Sequence, residues 1–298
     1  RDTTTVTITF TPTDSANNYP ATKTFSQKVL ENYYKVGSTY YNTLTTAYSA
    51  AGNNGTITVW QNVPAEATSP SINNTVTLAL QGYTLTKTSS AITVTTGGNL
   101  SITGTTAGTL TTALQYPITV TAGTLNVKTG NIISTHASGV GVNVAGGTAN
   151  IGENGNGNTN RSTTNPLVKG EAYGVNKASG TFNFYNGKLQ GKTAAYNPAS
   201  STSPNAVRTG CAIAAITTEN SYKTAILKVI PTLTIDPTTM NFTYATEPAT
   251  QNITISYNGD GKVSSNVAVT ATSSDTEVAK VSAGGSTPGA TANPTISS

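Results

Sequence analysis

Short runs of Val, Ile, Leu and Thr, with apolar residues at every second position, alternate along most of the chain with clusters of Gly, Asn and Ser. A period of two puts alternate side chains on opposite faces of a strand, and Gly, Asn and Ser favour the turns between strands. Patterns of helical period are almost absent, so the chain is predicted to be mostly β. The exception is Asn42 to Ala51, where Leu44, Ala47, Tyr48 and Ala51 fall at helical spacing and Gly52 follows as a stop signal. Thr56 to Trp60 and Thr75 to Leu80 then alternate as strands, with Gly82 in a turn.

The β pattern repeats. Val120-Thr-Ala-Gly-Thr-Leu-Asn-Val127 recurs as Val144-Ala-Gly-Gly-Thr-Ala-Asn-Ile151 and as Lys177-Ala-Ser-Gly-Thr-Phe-Asn-Phe184, at offsets of 24 and 33 residues. A looser copy, Val94 to Ile102, places Leu100 and Ile102 25 residues before Leu125 and Val127, and Val127-Lys-Thr-Gly-Asn-Ile132 is matched by Phe184-Tyr-Asn-Gly-Lys-Leu189. Each copy reads as two short strands bent about a glycine, with alternate residues turned inward. One such coil cannot bury its apolar face alone, so the copies must stack, joined by parallel ladders. The expected fold is therefore all-β, a right-handed parallel β-helix over residues 1–230, with a cap over about residues 1–70 whose helix shields the open strand edges. The longer second offset calls for extra residues, placed in the loop Gly152 to Asn160, and a second loop is expected from Thr193 to Arg208, which includes Pro198 and Pro204.

After Pro231 the texture changes. Leu233–Pro237, Met240–Tyr244, Asn252–Tyr257, Asn266–Thr270 and Glu277–Val281 read as short strands separated by turns, and residues 231–298 are expected to form a small immunoglobulin-like β-sandwich.

Composition narrows the setting. Only 9% of the residues are charged, and Thr, Ser, Asn and Gly abound, a surface of hydroxyls and amides that suits life outside a cell. The 16 Lys and Arg exceed the 12 Asp and Glu by four, yet they lie singly along the chain, a poor footprint for nucleic acid, so that partner is set aside. No stretch approaches the roughly 18 consecutive apolar residues of a membrane span, and no direct membrane insertion is expected. The sequence opens at Arg1 and its single methionine is Met240, which is read as a processed or trimmed chain. Cys211, alone, is expected to be a buried small residue in one coil.

The run Val36 to Ala51, followed by Gly55-Thr-Ile-Thr-Val-Trp60 and by Asn74 to Leu85, resembles the opening of pectate-lyase-like right-handed β-helix domains in cell-surface proteins of gut bacteria. The resemblance covers about residues 36–192. It implies a helix capping the first coil, although Gln81-Gly82 stands here where Asn-Gly is commoner. The strings LTIDPTTMNF and SSDTEVAKVS resemble bacterial immunoglobulin-like modules that space binding domains away from a cell wall or membrane, with residues 231–298 few enough to be a clipped module. Both resemblances imply a bacterial surface or secreted protein, and both are nearly silent on activity.

β-helices of this outline include polysaccharide lyases and hydrolases, which need clustered carboxylates or calcium ligands. Between Ala67 and Thr218 the only acids are Glu153 and Glu171, so a catalytic role is not expected and no cofactor is assigned. His136 has no acidic neighbour in sequence and reads as a surface or turn histidine; one His and one Cys exclude a multi-histidine or thiolate metal site. The Gly152 to Asn160 run lacks the Gly-Lys-Ser/Thr ending of a phosphate-binding loop.

What remains is binding or structure. The expected function is adhesin-like: glycan or host-surface material held on the solenoid flank and inserted loops by Asn158, Asn160, Arg161, Lys169, Tyr173, Tyr185, Tyr196 and Arg208. The blander reading is half-buried strand tyrosines and solvated loops. The alternative function is a purely structural stalk or spacer of the cell envelope. Ligand and oligomeric state are not legible in the sequence.

Overall fold

The computed structural model describes residues 31–105, 108–157, 159–198 and 204–230, together with the backbone of strands 3–10 and 21–28 and of six short strands beyond residue 231. The chain divides into two compact units. The first comprises Arg1–Glu153, Ser162–Ala206 and Ile216–Ala225; the second comprises Asn154–Arg161, Val207–Ala215 and Ile226–Ser298.

The first unit begins with an antiparallel pair, β1 (Thr3–Phe10) and β2 (Ala21–Lys28). A tight hairpin follows, β3 (Tyr34–Val36) and β4 (Thr39–Tyr41), and then helix α1 (Leu44–Ala51). From Gly55 the chain winds through six coils, each contributing one strand to each of three sheets. Sheet one stacks Gly55–Val59, Thr75–Ala79, Asn99–Thr103, Thr124–Val127, Thr148–Ile151 and Thr181–Phe184. Sheet two stacks Val63–Glu66, Thr84–Lys87, Thr109–Thr112, Asn131–Ser134, Leu167–Lys169 and Lys188–Gly191. Sheet three stacks Ser71–Ile72, Ile92–Val94, Ile118–Val120, Val140–Val144, Tyr173–Lys177 and Ala194–Asn197. Neighbouring coils pair in parallel throughout, the arrangement of a right-handed-type parallel β-helix.

The pairing register is the sequence repeat made physical. Leu100, Leu125, Ala149 and Phe182 lie over one another, as do Ile102, Val127, Ile151 and Phe184. In sheet two, Leu85, Leu110, Ile132, Val168 and Leu189 form another inward column. All of these are buried, at 2% exposure or less. Fully burying a side chain of this size contributes roughly 1.5–3 kcal/mol, and the contribution exists only because a neighbouring coil supplies the other wall. The glycine at the bend of each copy is required by its backbone: Gly123, Gly147 and Gly180 have φ of 64°, 61° and 74°.

The recurring asparagines form a second lattice. Asn126 donates to the side chain of Asn99 at 2.9 Å, Asn150 to Asn126 at 2.8 Å and Asn183 to Asn150 at 2.8 Å. A parallel ladder in sheet three runs from Asn197 to Asn176 to Asn143 at 2.9 Å per step. Asn126, Asn150 and Asn176 each use both ends of the amide along the stacking direction, so a coil displaced by one residue loses side-chain bonds as well as burial.

Helix α1 lies where the spacing predicts it. Thr43 caps it, accepting from the Thr46 N–H at 3.2 Å, and Gly52, at φ 61°, ends it by donating to the Tyr48 carbonyl. The open edge of sheet one is covered differently from expectation: β3 pairs antiparallel with Gly55–Val59, so a strand rather than the helix satisfies the edge. Glu66 ties this cap together from inside. Its buried carboxylate accepts from the Tyr34 hydroxyl at 2.6 Å, the Leu44 N–H at 2.9 Å, and the N–H and hydroxyl of Thr68 at 2.8 and 2.6 Å. Burial pushes the Tyr34 hydroxyl far above its ordinary pKa, with Glu66 adding to the effect. Lys87, buried and paired in register with Glu66, donates to the Thr68 carbonyl; burial pulls its ammonium down to about 8 although Glu66 works against the shift.

Two expectations need correction. The second loop does not start at Thr193, because Ala194–Asn197 is the sheet-three strand of the sixth coil, with Tyr196 in register with Val175. Cys211 is buried as expected but outside the coils: Cys211–Ile213 pairs antiparallel with Leu227–Val229 in the second unit. In that unit the backbone beyond residue 231 forms two three-stranded antiparallel sets, Thr232–Asp236, Thr254–Asn258 and Thr291–Ala292, and Thr250–Asn252, Thr295–Ser297 and Lys280–Ser282. The strands expected at Met240–Tyr244 and Asn266–Thr270 lie outside the described residues.

Candidate functional site

In the first four coils the outer wall is nearly free of charge. Residues 55–144 contain Glu66 and Lys87, both buried, and Lys128, whose ammonium pairs with Glu153 at 3.1 Å. Charge gathers instead on the outer flank of the fifth and sixth coils, where a hairpin of Thr217–Glu219 and Tyr222–Thr224 is paired antiparallel. Asn220 and Ser221 turn this hairpin with φ of 48° and 69°.

The stacking of coils builds the cluster. Lys169 pairs in register with Gln190, so two residues further on Glu171 meets Lys192, whose N–H donates to the Glu171 carbonyl at 3.0 Å. Their side chains form an ion pair at 2.5 Å. The Tyr222 hydroxyl donates to the other Glu171 oxygen, and the Lys169 ammonium sits 3.8 Å from the centroid of the Tyr222 ring, with Lys192 at 5.5 Å. Beside them Glu219 accepts from Lys188 at 2.9 Å and from Gln190 at 3.3 Å.

Electrostatics fixes the protonation states. The bond from Lys192, then that from Tyr222, holds the Glu171 carboxyl below its usual range. Burial and the Glu171 bond push the Tyr222 hydroxyl up to about 12. Near neutrality Glu171 is thus a carboxylate already occupied by two donors and Tyr222 a phenol already committed to it. The cluster is suited to holding an anionic or hydroxyl-rich group through its lysines, rather than to exchanging protons. Among the described residues no group of three or more His, Cys, Asp or Glu is placed to hold a metal ion.

Of the residues singled out from sequence, only Lys169 enters this cluster. Tyr173 is a half-buried strand residue in register with Val140 and Ala194. Tyr185 is half-buried, its N–H on the Ile151 carbonyl at 2.7 Å, and the ring of Tyr196 packs 6.1 Å from that of Phe182, where burial raises its pKa. In the second unit, Asn160 is exposed with φ 54°, and Arg161 donates to the Leu227 carbonyl at 2.6 Å. Arg208 is buried, donating to the carbonyls of Gly157, at 2.9 Å, and Thr159. It therefore clamps the 154–161 loop. Asn158 lies outside the described residues. His136 is an exposed turn residue whose Nδ1 accepts from the Ser138 N–H at 3.2 Å.

Glu171, Lys192 and Tyr222 were not grouped by sequence reasoning. The signal for the first two was present: Val168-Lys-Gly-Glu171 and Leu189-Gln-Gly-Lys192 are equivalent positions of adjacent coils, which superimposes opposite charges.

The fold and this flank define a parallel β-helix protein of six coils carrying a lysine-rich outer face. In comparisons with protein-family models, curated proteins and solved structures, nothing matches the chain.

Proposed function

We propose that this is a non-catalytic, adhesin-like surface or secreted protein that binds acidic glycan on the flank of its fifth and sixth coils. The observation that carries the reading is the contrast along the solenoid. Four coils offer a Thr- and Asn-rich wall whose one surface charge, Lys128, is paired with Glu153, whereas the last two and their hairpin present Lys169, Lys188, Lys192 and Lys223 against Glu171 and Glu219, with Tyr222 set among them. Four lysines against two glutamates leave the flank net positive. Export and surface location rest on the composition and on the resemblance to pectate-lyase-like β-helix domains of surface proteins. The antiparallel strands beyond residue 231 are compatible with an immunoglobulin-like spacer there.

The test is an array of acidic and neutral glycans probed with the full chain and with a Lys169→Ala/Lys192→Ala/Tyr222→Ala variant. Binding of acidic glycans that weakens at least about tenfold in the variant, and falls with added salt, is expected. Equal binding by both proteins, or none by either, would overturn the assignment. A purely structural stalk is the second reading, favoured by the regular, nearly charge-free wall of the first four coils. It expects concentration-dependent self-association in sedimentation and no glycan ligand.

A further inference from the structure

We propose that the exposed corner formed by Lys35, Tyr40 and Trp60 in the cap is a carbohydrate subsite for a sugar that bears a carboxylate. This corner stands on the first coil, apart from the lysine-rich flank, and the proposal holds whether or not that flank binds.

Backbone pairing assembles it. In the β3–β4 hairpin Lys35 is in register with Tyr40, and on its other side Lys35 pairs with Thr58, two residues before Trp60. The Tyr40 and Trp60 rings meet edge to face, with centroids 5.6 Å apart and planes at 73°, forming two walls. The Lys35 ammonium lies 4.9 Å from the Trp60 centroid and 5.4 Å from that of Tyr40. Trp60 is 48% exposed and Tyr40 41%.

Two features of the corner call for a partner. Large aromatic rings gain most when removed from water, yet the only tryptophan of the chain is held half in solvent by an ordered strand and a second ring. And the Lys35 ammonium lies over both ring faces, while among the described residues no carboxylate lies within 4.0 Å of its nitrogen. A pyranose has C–H groups on one face and polar groups around its rim. Its apolar face covers an exposed ring while a rim carboxylate accepts a charge-assisted hydrogen bond from Lys35. A neutral sugar has only the ring contact, so charge complementarity selects the acidic one.

Because Trp60 is the sole tryptophan, its emission reports on this corner and nowhere else. The full chain is titrated with trigalacturonate and with maltotriose as the neutral control. A saturable change in emission with trigalacturonate, at about tenfold lower concentration than with maltotriose, is expected. Lys35→Gln is expected to bring the two sugars within about twofold of each other, and Tyr40→Ala to weaken both. Lys169→Ala/Lys192→Ala leaves the Trp60 signal intact, which separates this site from the flank. No emission change up to about 10 mM trigalacturonate, full acid preference in Lys35→Gln, or a response confined to an oligoglutamate peptide would overturn the proposal.

Discussion

Asn150 donates its side-chain amide to Asn126 in the preceding coil and accepts from Asn183 in the following one, each at 2.8 Å. Replacing it with Ala leaves the Asn126 oxygen and the Asn183 amide without these partners. Asn150→Ala is expected to lower stability by about 1–2 kcal/mol, read as a shift of the urea midpoint at unchanged slope. Ser101→Ala, in the same column but outside the ladder, is expected to stay within about 0.5 kcal/mol of the parent.

Gly123 and Gly37 both have positive φ, 64° and 59°, but only one is enclosed. A Cβ on Gly123 would stand 2.3 Å from the Gly98 carbonyl oxygen and 2.5 Å from that of Thr95, whereas one on Gly37 meets nothing within 4 Å. Gly123→Ala is expected to cost about 3 kcal/mol or more, because the preceding coil must move. Gly37→Ala should cost only the conformational strain, about 1 kcal/mol. Thermal unfolding of the pair separates the two effects.

Lys87 makes stability depend on alkaline pH. Its folded pKa of about 8 lies below the ordinary 10.5, so between these values the unfolded chain binds a proton that the folded chain has released. Stability contributed by this group therefore rises with pH across that window, by on the order of 3 kcal/mol in full. Urea midpoints measured from about pH 7 to about pH 9.5 should climb in the parent and climb less in Lys87→Met. An equal slope in both would show that Lys87 is not the group responsible.

Arg208 holds the 154–161 loop through the carbonyls of Gly157 and Thr159. Arg208→Ala leaves those acceptors without the guanidinium and is expected to speed limited proteolysis within the loop severalfold, with cuts between residues 152 and 161. Arg208→Lys, a point charge lacking the planar fork, should restore the resistance only in part.

The solenoid is readable because the last three coils repeat one cassette at one place, Gly-Thr-apolar-Asn at Gly123, Gly147 and Gly180. The Gly-Thr-apolar-Asn copies give the register of Ala149 over Leu125 and of Phe182 over Ala149 without further information. The third sheet was harder, since its strands in the first three coils are only two or three residues long. The strand cover on sheet one was missed because β3 and β4 have three residues each and follow no repeat. Ring and polar chemistry near the two inserted loops marks Tyr173, Tyr196 and Arg208 as candidates in the sequence, but strand register half-buries the tyrosines and the loop carbonyls bury Arg208. Glu171 and Tyr222 met across 51 residues, and only the docking of the 217–224 hairpin makes that proximity visible.

Within the stack each coil pairs its strands only with the coil before it and the coil after it, so nothing between the two ends measures its height. Copying residues 124–147 would insert a complete storey, about 4.8 Å tall, with its own lining and its own asparagine link. The antiparallel lid at the start would be untouched. Length is the variable this architecture leaves open, and duplication of a single storey is the step by which such a molecule grows or shortens its reach.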